Sequence, residues 1–291
     1  MKLISFLTFL LFSLQGMSYE VVYPRREALN EIKNTFGLVP KFFELYPEDG
    51  ISGAWLEMKT LELNPKTALS GLHKELIGLA VASQIPCHYC AYFHTQAAKL
   101  NGATDQQIRE AIATSAMGRF WATYFEGMQT DINDFMKETD RIVEIQRKRM
   151  APDYKAPVLP PINVIDAESA YQDMERVLGT VPFFVKPIPK NSVAGVWLAT
   201  KAAFIMPSSI PPKIKNLIML AAQTSNKQGR YWDVQFAKLF GASEQEIAEA
   251  VEMAATTRHW STWLNGNLFE EKTFRKEVDK AFAFVKKHAG R

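Results

Sequence analysis

The only two cysteines of this 291-residue chain lie three apart, in the run Cys87-His88-Tyr89-Cys90-Ala91-Tyr92-Phe93-His94. Pro86 suits the first turn of a helix, so the spacing predicts a helix starting there, with Cys87, Cys90 and His94 along one stripe at i, i+3 and i+7. One turn from Cys90, the His94 imidazole can take a thiol proton directly or through water. The positive end of the helix favours thiolate, the form that attacks peroxides and disulfides. Taken alone, that helix-end argument marks Cys87 as the thiol of lower pKa. Glu75, twelve residues before Cys87 on a preceding helix, is within reach in a helical hairpin; its expected task is to orient His94 and relay protons.

Three other uses of the cysteine pair are weaker. A structural disulfide closing four residues stabilises by only about 2 kcal/mol in the loop-entropy model, so it is a poor staple. Cys-x-x-Cys with a nearby histidine can supply three zinc ligands, but no second pair follows at finger spacing and His88 points about 100° away along the helix. Covalent haem attachment needs histidine directly after the second cysteine, where this chain has Ala91. No metal and no cofactor are therefore expected. His73, His259 and His288 read as surface or packing residues, and His88 as either solvent-exposed or a tuning charge. Trp121, Tyr124 and Phe125 fall on helical spacing and read as core.

The elements that must position this site are helical. Apolar residues recur at three-to-four spacing in Leu72, Leu76, Leu79 and Ala80, and in Ile108, Ala111, Ile112, Ala116 and Phe120, whereas strand signals are scarce. Asn101-Gly102 stops one helix, and Thr104 with Gln107 forms the N-cap and capping-box partner of the next. The same punctuation returns in Phe240-Gly241-Ala242-Ser243 with Glu246. The echo extends further. Phe36-Gly37-Leu38-Val39-Pro40 matches Leu178-Gly179-Thr180-Val181-Pro182, and Gly53-Ala54-Trp55-Leu56 matches Gly195-Val196-Trp197-Leu198, both at an offset of 142. Lys74-Glu75-Leu76-Ile77 matches Lys215-Asn216-Leu217-Ile218 at 141, and Arg119-Phe120-Trp121 matches Arg258-His259-Trp260 at 139.

The expectation is thus an all-α chain of two tandem helical repeats, the second shorter by about three residues. Residues 1–18 are set apart as a leader, 19–149 carry the site, 150–163 form a Pro-rich extended spacer, and 164–291 form the second repeat. That second copy is degenerate: Asn226-Lys227-Gln228-Gly229-Arg230-Tyr231-Trp232-Asp233 has neither cysteine nor histidine, and Asn216 stands in place of Glu75. Its face around Gly229 and Asp233 is expected to be inert.

Composition agrees with an ordinary globular protein, 47% hydrophobic and 22% charged, with a net charge of +3. Mixed charges give no field for nucleic acid, and the clusters Arg147-Lys148-Arg149 and Lys286-Lys287 read as helix C-termini. Lys2, the apolar run from Leu3 to Leu14 and the small residues Gly16 and Ser18 describe a secretory signal peptide, too short to span a bilayer. The expected location is periplasmic or secreted, or cytoplasmic if translation begins at Met17.

Glu75, eleven intervening residues, Cys87-x-x-Cys90 and then x-x-x-His94 resemble the signature of the alkylhydroperoxidase D-like branch of the carboxymuconolactone decarboxylase family. Lys74-Glu75-Leu76-Ile77-Gly78-Leu79-Ala80 and Leu100-Asn101-Gly102-Ala103-Thr104 resemble it too, over about Pro65 to Gly127. The resemblance implies an all-helical fold that assembles into trimers or hexamers, and reduction of hydroperoxides by the cysteine pair. It implies that Cys90 is attacked by peroxide, Cys87 resolves the sulfenic acid as a disulfide, and Glu75 and His94 relay protons. Some members place a histidine directly before the second cysteine; here that residue is Tyr89 and the histidine is His88. The expected partners are a small hydroperoxide, an external dithiol donor and further copies of the chain, with no stable membrane insertion. A thiol-disulfide oxidoreductase, or a non-catalytic helical module with a vestigial dithiol, are the alternatives.

Overall fold

The computed structural model describes residues 23–225 and 231–288; the expected leader 1–18 and the stretch 226–230, including Gly229, lie outside the described residues. Among the described residues every regular element is helical: α1 (Arg25–Phe36), α2 (Lys41–Glu44), α3 (Ile51–Glu57), α4 (Gly71–Gln84), α5 (His88–Leu100), α6 (Asp105–Gly127), α7 (Ile132–Arg149), α8 (Ala167–Leu178), α9 (Val193–Phe204), α10 (Pro212–Thr224), α11 (Tyr231–Leu239), α12 (Glu244–Gly266) and α13 (Glu271–His288). A π-helical turn, Met58–Glu62, extends α3. None of these helices is long and apolar enough to cross a membrane.

Local sequence signals set the helix ends. Gly102 and Gly241 take left-handed φ values of 85° and 86°, which glycine adopts without steric cost, and end α5 and α11. Thr104 with Gln107, and Ser243 with Glu246, then form the reciprocal capping boxes of α6 and α12. The basic clusters occupy the last turns of α7 and α13, where the helix dipole favours cations. Residues 150–163 contain no helix and are largely exposed.

Helices α4 and α10 lie at the centre, packed on each other and each against both long helices α6 and α12. A helix surrounded on all sides must be apolar all round, and residues 74–82 of α4 and 214–223 of α10 are all buried. Each carries one buried lysine whose ammonium donates to backbone carbonyls. Lys74 Nζ donates to the carbonyls of Leu61 and Asn64 at 2.7 Å each and to Thr67 Oγ1 at 2.8 Å. Lys215 Nζ donates to the carbonyls of Ala202 and Met206 at 2.9 and 3.0 Å. A second constellation also occurs twice at the offset of 142. Trp55 Nε1 and Lys59 Nζ both donate to the Glu31 carboxylate, and Trp197 Nε1 and Lys201 Nζ both donate to that of Asp173.

Two apolar cores result, and each draws on both halves of the chain. One joins Phe42, Phe43, Trp55 and Leu76 with Leu217, Trp260 and Phe274; the other joins Trp121, Phe125 and Phe135 with Phe184, Trp197 and Phe236. The buried stripe of α6 runs through Ile108, Ala111, Ser115, Gly118, Trp121 and Phe125. Ile112, Ala116 and Phe120, expected on that stripe, are exposed because they sit a helical step outside it.

Candidate active site

Cys87 is not the first helical residue but the N-cap of α5. Its Sγ accepts from the backbone N–H of Cys90 at 3.2 Å, one of the donors a helix start leaves open. The helix therefore begins two residues later than Pro86 suggests. Cys87 and Cys90 are joined as a disulfide, with Cα atoms 5.3 Å apart, and both are buried. Further along α5, His94 is buried and faces α4, while His88 is exposed and stands apart from the site.

Gly78 is what lets His94 lie against the α4 backbone. A Cβ at position 78 would fall 2.4 Å from His94 Cε1 and 2.6 Å from Nδ1, inside van der Waals contact. In the resulting position Nδ1 is 2.8 Å from Glu75 Oε2, as expected from the sequence. Two further groups complete the surroundings. Glu62, at the end of the π-helical turn, puts Oε1 3.7 Å from Nδ1. Thr257, from α12 in the other half of the chain, puts Oγ1 3.4 Å from Nε2. Thr257 gives its own proton to the carbonyl of Met253 at 2.8 Å, so its hydroxyl can only accept from Nε2–H. Nδ1 is then an acceptor, and a protonated Glu75 is its donor.

Electrostatics agree with that assignment. Burial pushes the Glu75 carboxyl up from 4.5 to about 8, although the ammonium of Lys74 opposes the shift. Burial and then repulsion from Glu75 push Glu62 up to about 8 as well. Burial also lowers the His94 pKa, with Glu62 opposing. Near neutral pH the cluster holds its protons on the carboxyls and keeps the imidazole neutral, as a proton reservoir beside a thiol requires. Glu62, Glu75 and His94 have ligand atoms within 4.8 Å of one another, a spacing a cation could use. It would have to displace those protons to enter.

A pH dependence of stability follows. Carboxyls raised in the folded state bind protons that the unfolded chain releases above 4.5, so their stabilisation is complete below 4.5 and is lost as pH rises to about 8. His94, lowered in the folded state, acts oppositely, but only below its ordinary value of 6.5. Between pH 6.5 and 8 the carboxyls act alone. Thermal melts across that window should show a falling midpoint, with a slope of at most about 1.4 kcal/mol per pH unit for each proton released. Glu62→Gln should flatten the fall; an unchanged slope would place the titration elsewhere.

Cys90, His94, Glu62 and Thr257 line a narrow cavity with a free volume of ≈ 20 Å³, walled by Phe42, Met58, Phe93, Trp260, Leu264 and Phe274. Cys87 does not line it. The long helix α12 supplies Thr257, Trp260 and Leu264, so the far half of the chain closes this cavity. The remaining histidines fall outside it. His259 sits between Glu57 and Tyr46, at 2.6 and 2.7 Å, and His288 bonds the carbonyl of Phe284.

An all-helical fold that buries a Cys-x-x-Cys pair beside a protonated carboxyl–imidazole cluster is the class of protein these features define. The family model for the carboxymuconolactone decarboxylase family matches residues 51–129, which span α3, the π-helical turn and α4 to α6. Uncharacterized protein 4 in the cox locus of Paracoccus denitrificans is 34% identical over 90 residues, 30% of this chain and 81% of that relative. The crystal structure of a protein described as a gamma-carboxymuconolactone decarboxylase subunit, from Burkholderia xenovorans LB400, shares the fold with a TM-score of 0.54. The match covers 87% of this chain and 98% of that one at 14% identity. The chain belongs to the carboxymuconolactone decarboxylase family, which includes alkylhydroperoxidase D-like members.

Proposed function

We propose that the protein is a thiol-dependent peroxidase working through Cys90 and Cys87. The observation that carries this reading is the Cys87–Cys90 disulfide beside the His94–Glu75 pair, with Cys90 alone of the two sulfurs lining the cavity. In the reduced enzyme, Cys90 thiolate attacks the distal oxygen of a hydroperoxide, the O–O bond breaks, and Cys90 becomes a sulfenic acid. The departing alkoxide takes a proton held by His94 and Glu75. Cys87 thiolate then attacks the Cys90 sulfur, expelling hydroxide, which leaves as water, and forming the disulfide. An external dithiol donor reduces that disulfide and is itself oxidised, so each turnover converts one hydroperoxide and one dithiol to alcohol, water and a disulfide. The same access argument favours Cys90 over Cys87, although Cys87 accepts the helix-end N–H.

The cavity beside Cys90 is narrow and walled mainly by apolar side chains, which favours a small hydroperoxide as substrate. The test is a Cys87→Ser variant treated with one equivalent of hydrogen peroxide and a sulfenic-acid trap, read by peptide mass spectrometry. The adduct is expected on Cys90; no adduct there, with thiols intact, would remove the reading. Export of the mature chain is proposed on the leader at 1–18 and is checked by N-terminal sequencing of native protein, with a start at Met1 or Met17 counting against it.

A further inference from the structure

A second, larger cavity lies in the other core, with a free volume of ≈ 50 Å³. Its walls repeat those of the redox cavity at the offsets that relate the two halves of the sequence. Phe184 stands where Phe42 does, Trp121 where Trp260 does, Phe125 where Leu264 does and Phe135 where Phe274 does. Here the closing helix is α6, the counterpart of α12. The reacting groups are the ones that differ. Glu62 is matched by Phe204, His94 by Asp233, Gly78 by Met219 and Thr257 by Gly118. At Gly118 a Cβ would meet Met219 Cγ at 3.1 Å, so the glycine gives the methionine its room. The cavity has thus kept its aromatic frame while exchanging each group that did chemistry.

Two buried polar side chains stand on these walls, the Asp233 carboxylate and the Gln223 amide, and the amide carries an acceptor with no donor. Gln223 lines the cavity, is only 2% exposed, and its Oε1 has no hydrogen-bond donor. An acceptor stranded this way keeps its full desolvation penalty until a donor arrives. The neighbouring Thr200 hydroxyl cannot supply one, since it gives its proton to the carbonyl of Val196 and accepts from Trp121 Nε1. The rings meet edge to face, with Phe184 near perpendicular to both Trp121 and Phe125, an arrangement that another flat ring extends favourably.

We propose that this cavity binds a small phenol, its ring among the aromatic walls and its hydroxyl donating to Gln223 Oε1. The site is distinct from the redox cavity and does not depend on the peroxidase reading. The full-length oxidised protein, titrated with 4-fluorophenol and with fluorobenzene and followed by fluorine NMR, tests it. Saturable binding of 4-fluorophenol is expected, about tenfold tighter than fluorobenzene. Gln223→Leu should abolish that preference while fluorobenzene still binds, which also reports that the variant is folded. Val196→Phe, which fills the cavity, should remove both, and Thr257→Met, which crowds the redox cavity, should remove neither. Failure of both ligands to saturate, a preference that survives Gln223→Leu, or binding lost in Thr257→Met would each overturn the proposal.

Discussion

Cys90→Ser is expected to reduce peroxide turnover to the uncatalysed background, a loss on the order of 10³-fold or more, as removal of an essential nucleophile does. The serine hydroxyl is nearly isosteric but remains protonated at neutral pH, so neither His94 nor the start of α5 can turn it into a comparable nucleophile. Cys87→Ser should behave differently. Its Cys90 can still be attacked once, giving a single stoichiometric burst and then a stalled sulfenic acid. Stopped-flow peroxide consumption with a working dithiol donor separates the two. Full activity in Cys90→Ser would end the peroxidase proposal, and a burst from Cys90→Ser rather than Cys87→Ser would exchange the roles of the two sulfurs. The folded state should be little altered in either variant, because a bridge across four residues constrains the unfolded chain by only about 2 kcal/mol.

The part of the site visible in the sequence is the part built from local geometry. Cys87, Cys90 and His94 share one helix, and Glu75 sits on its hairpin partner, so spacing alone brings four groups together. Glu62 was not legible. It reads as one more charged residue after a helix, and only the widened turn of Met58–Glu62, pinned by Lys74 through the carbonyls of Leu61 and Asn64, aims it inward. A lysine preceding the glutamate of the motif was a faint signal, because its burial demands acceptors, and the open carbonyls at the end of a neighbouring helical turn supply them. Thr257 was out of reach for a different reason. It arrives from 163 residues away, through a packing of α12 on α4 that no periodicity encodes. Helix content and caps were legible for the opposite reason, since Gly102, Thr104, Gly241 and Ser243 act within a few residues of themselves. The aromatic residues Trp121 and Phe125 read correctly as core, but periodicity could not tell a filled core from the wall of a cavity.

Gly78→Ala should be the most damaging single substitution in the site that removes no functional group. The added methyl would overlap His94 Cε1, Nδ1 and Nε2 at 2.4 to 2.7 Å, and the ring has little room to retreat. Around it stand Glu62, Glu75 and Thr257, all buried. Overpacking of this kind costs about 1–3 kcal/mol of stability. The greater effect should fall on activity. A ring displaced by even about 1 Å loses alignment with its proton partners, and misplacement on that scale can cost about 10²-fold in rate. In a helix interior alanine is otherwise preferred over glycine by about 1 kcal/mol, so the sign of the stability change is itself diagnostic. If Gly78→Ala melts higher than the parent and keeps its turnover, His94 is not held against α4 during catalysis. If it melts lower and loses turnover while the Cys90 sulfenic acid still forms slowly, the imidazole acts through its position, and the glycine is part of the catalytic design.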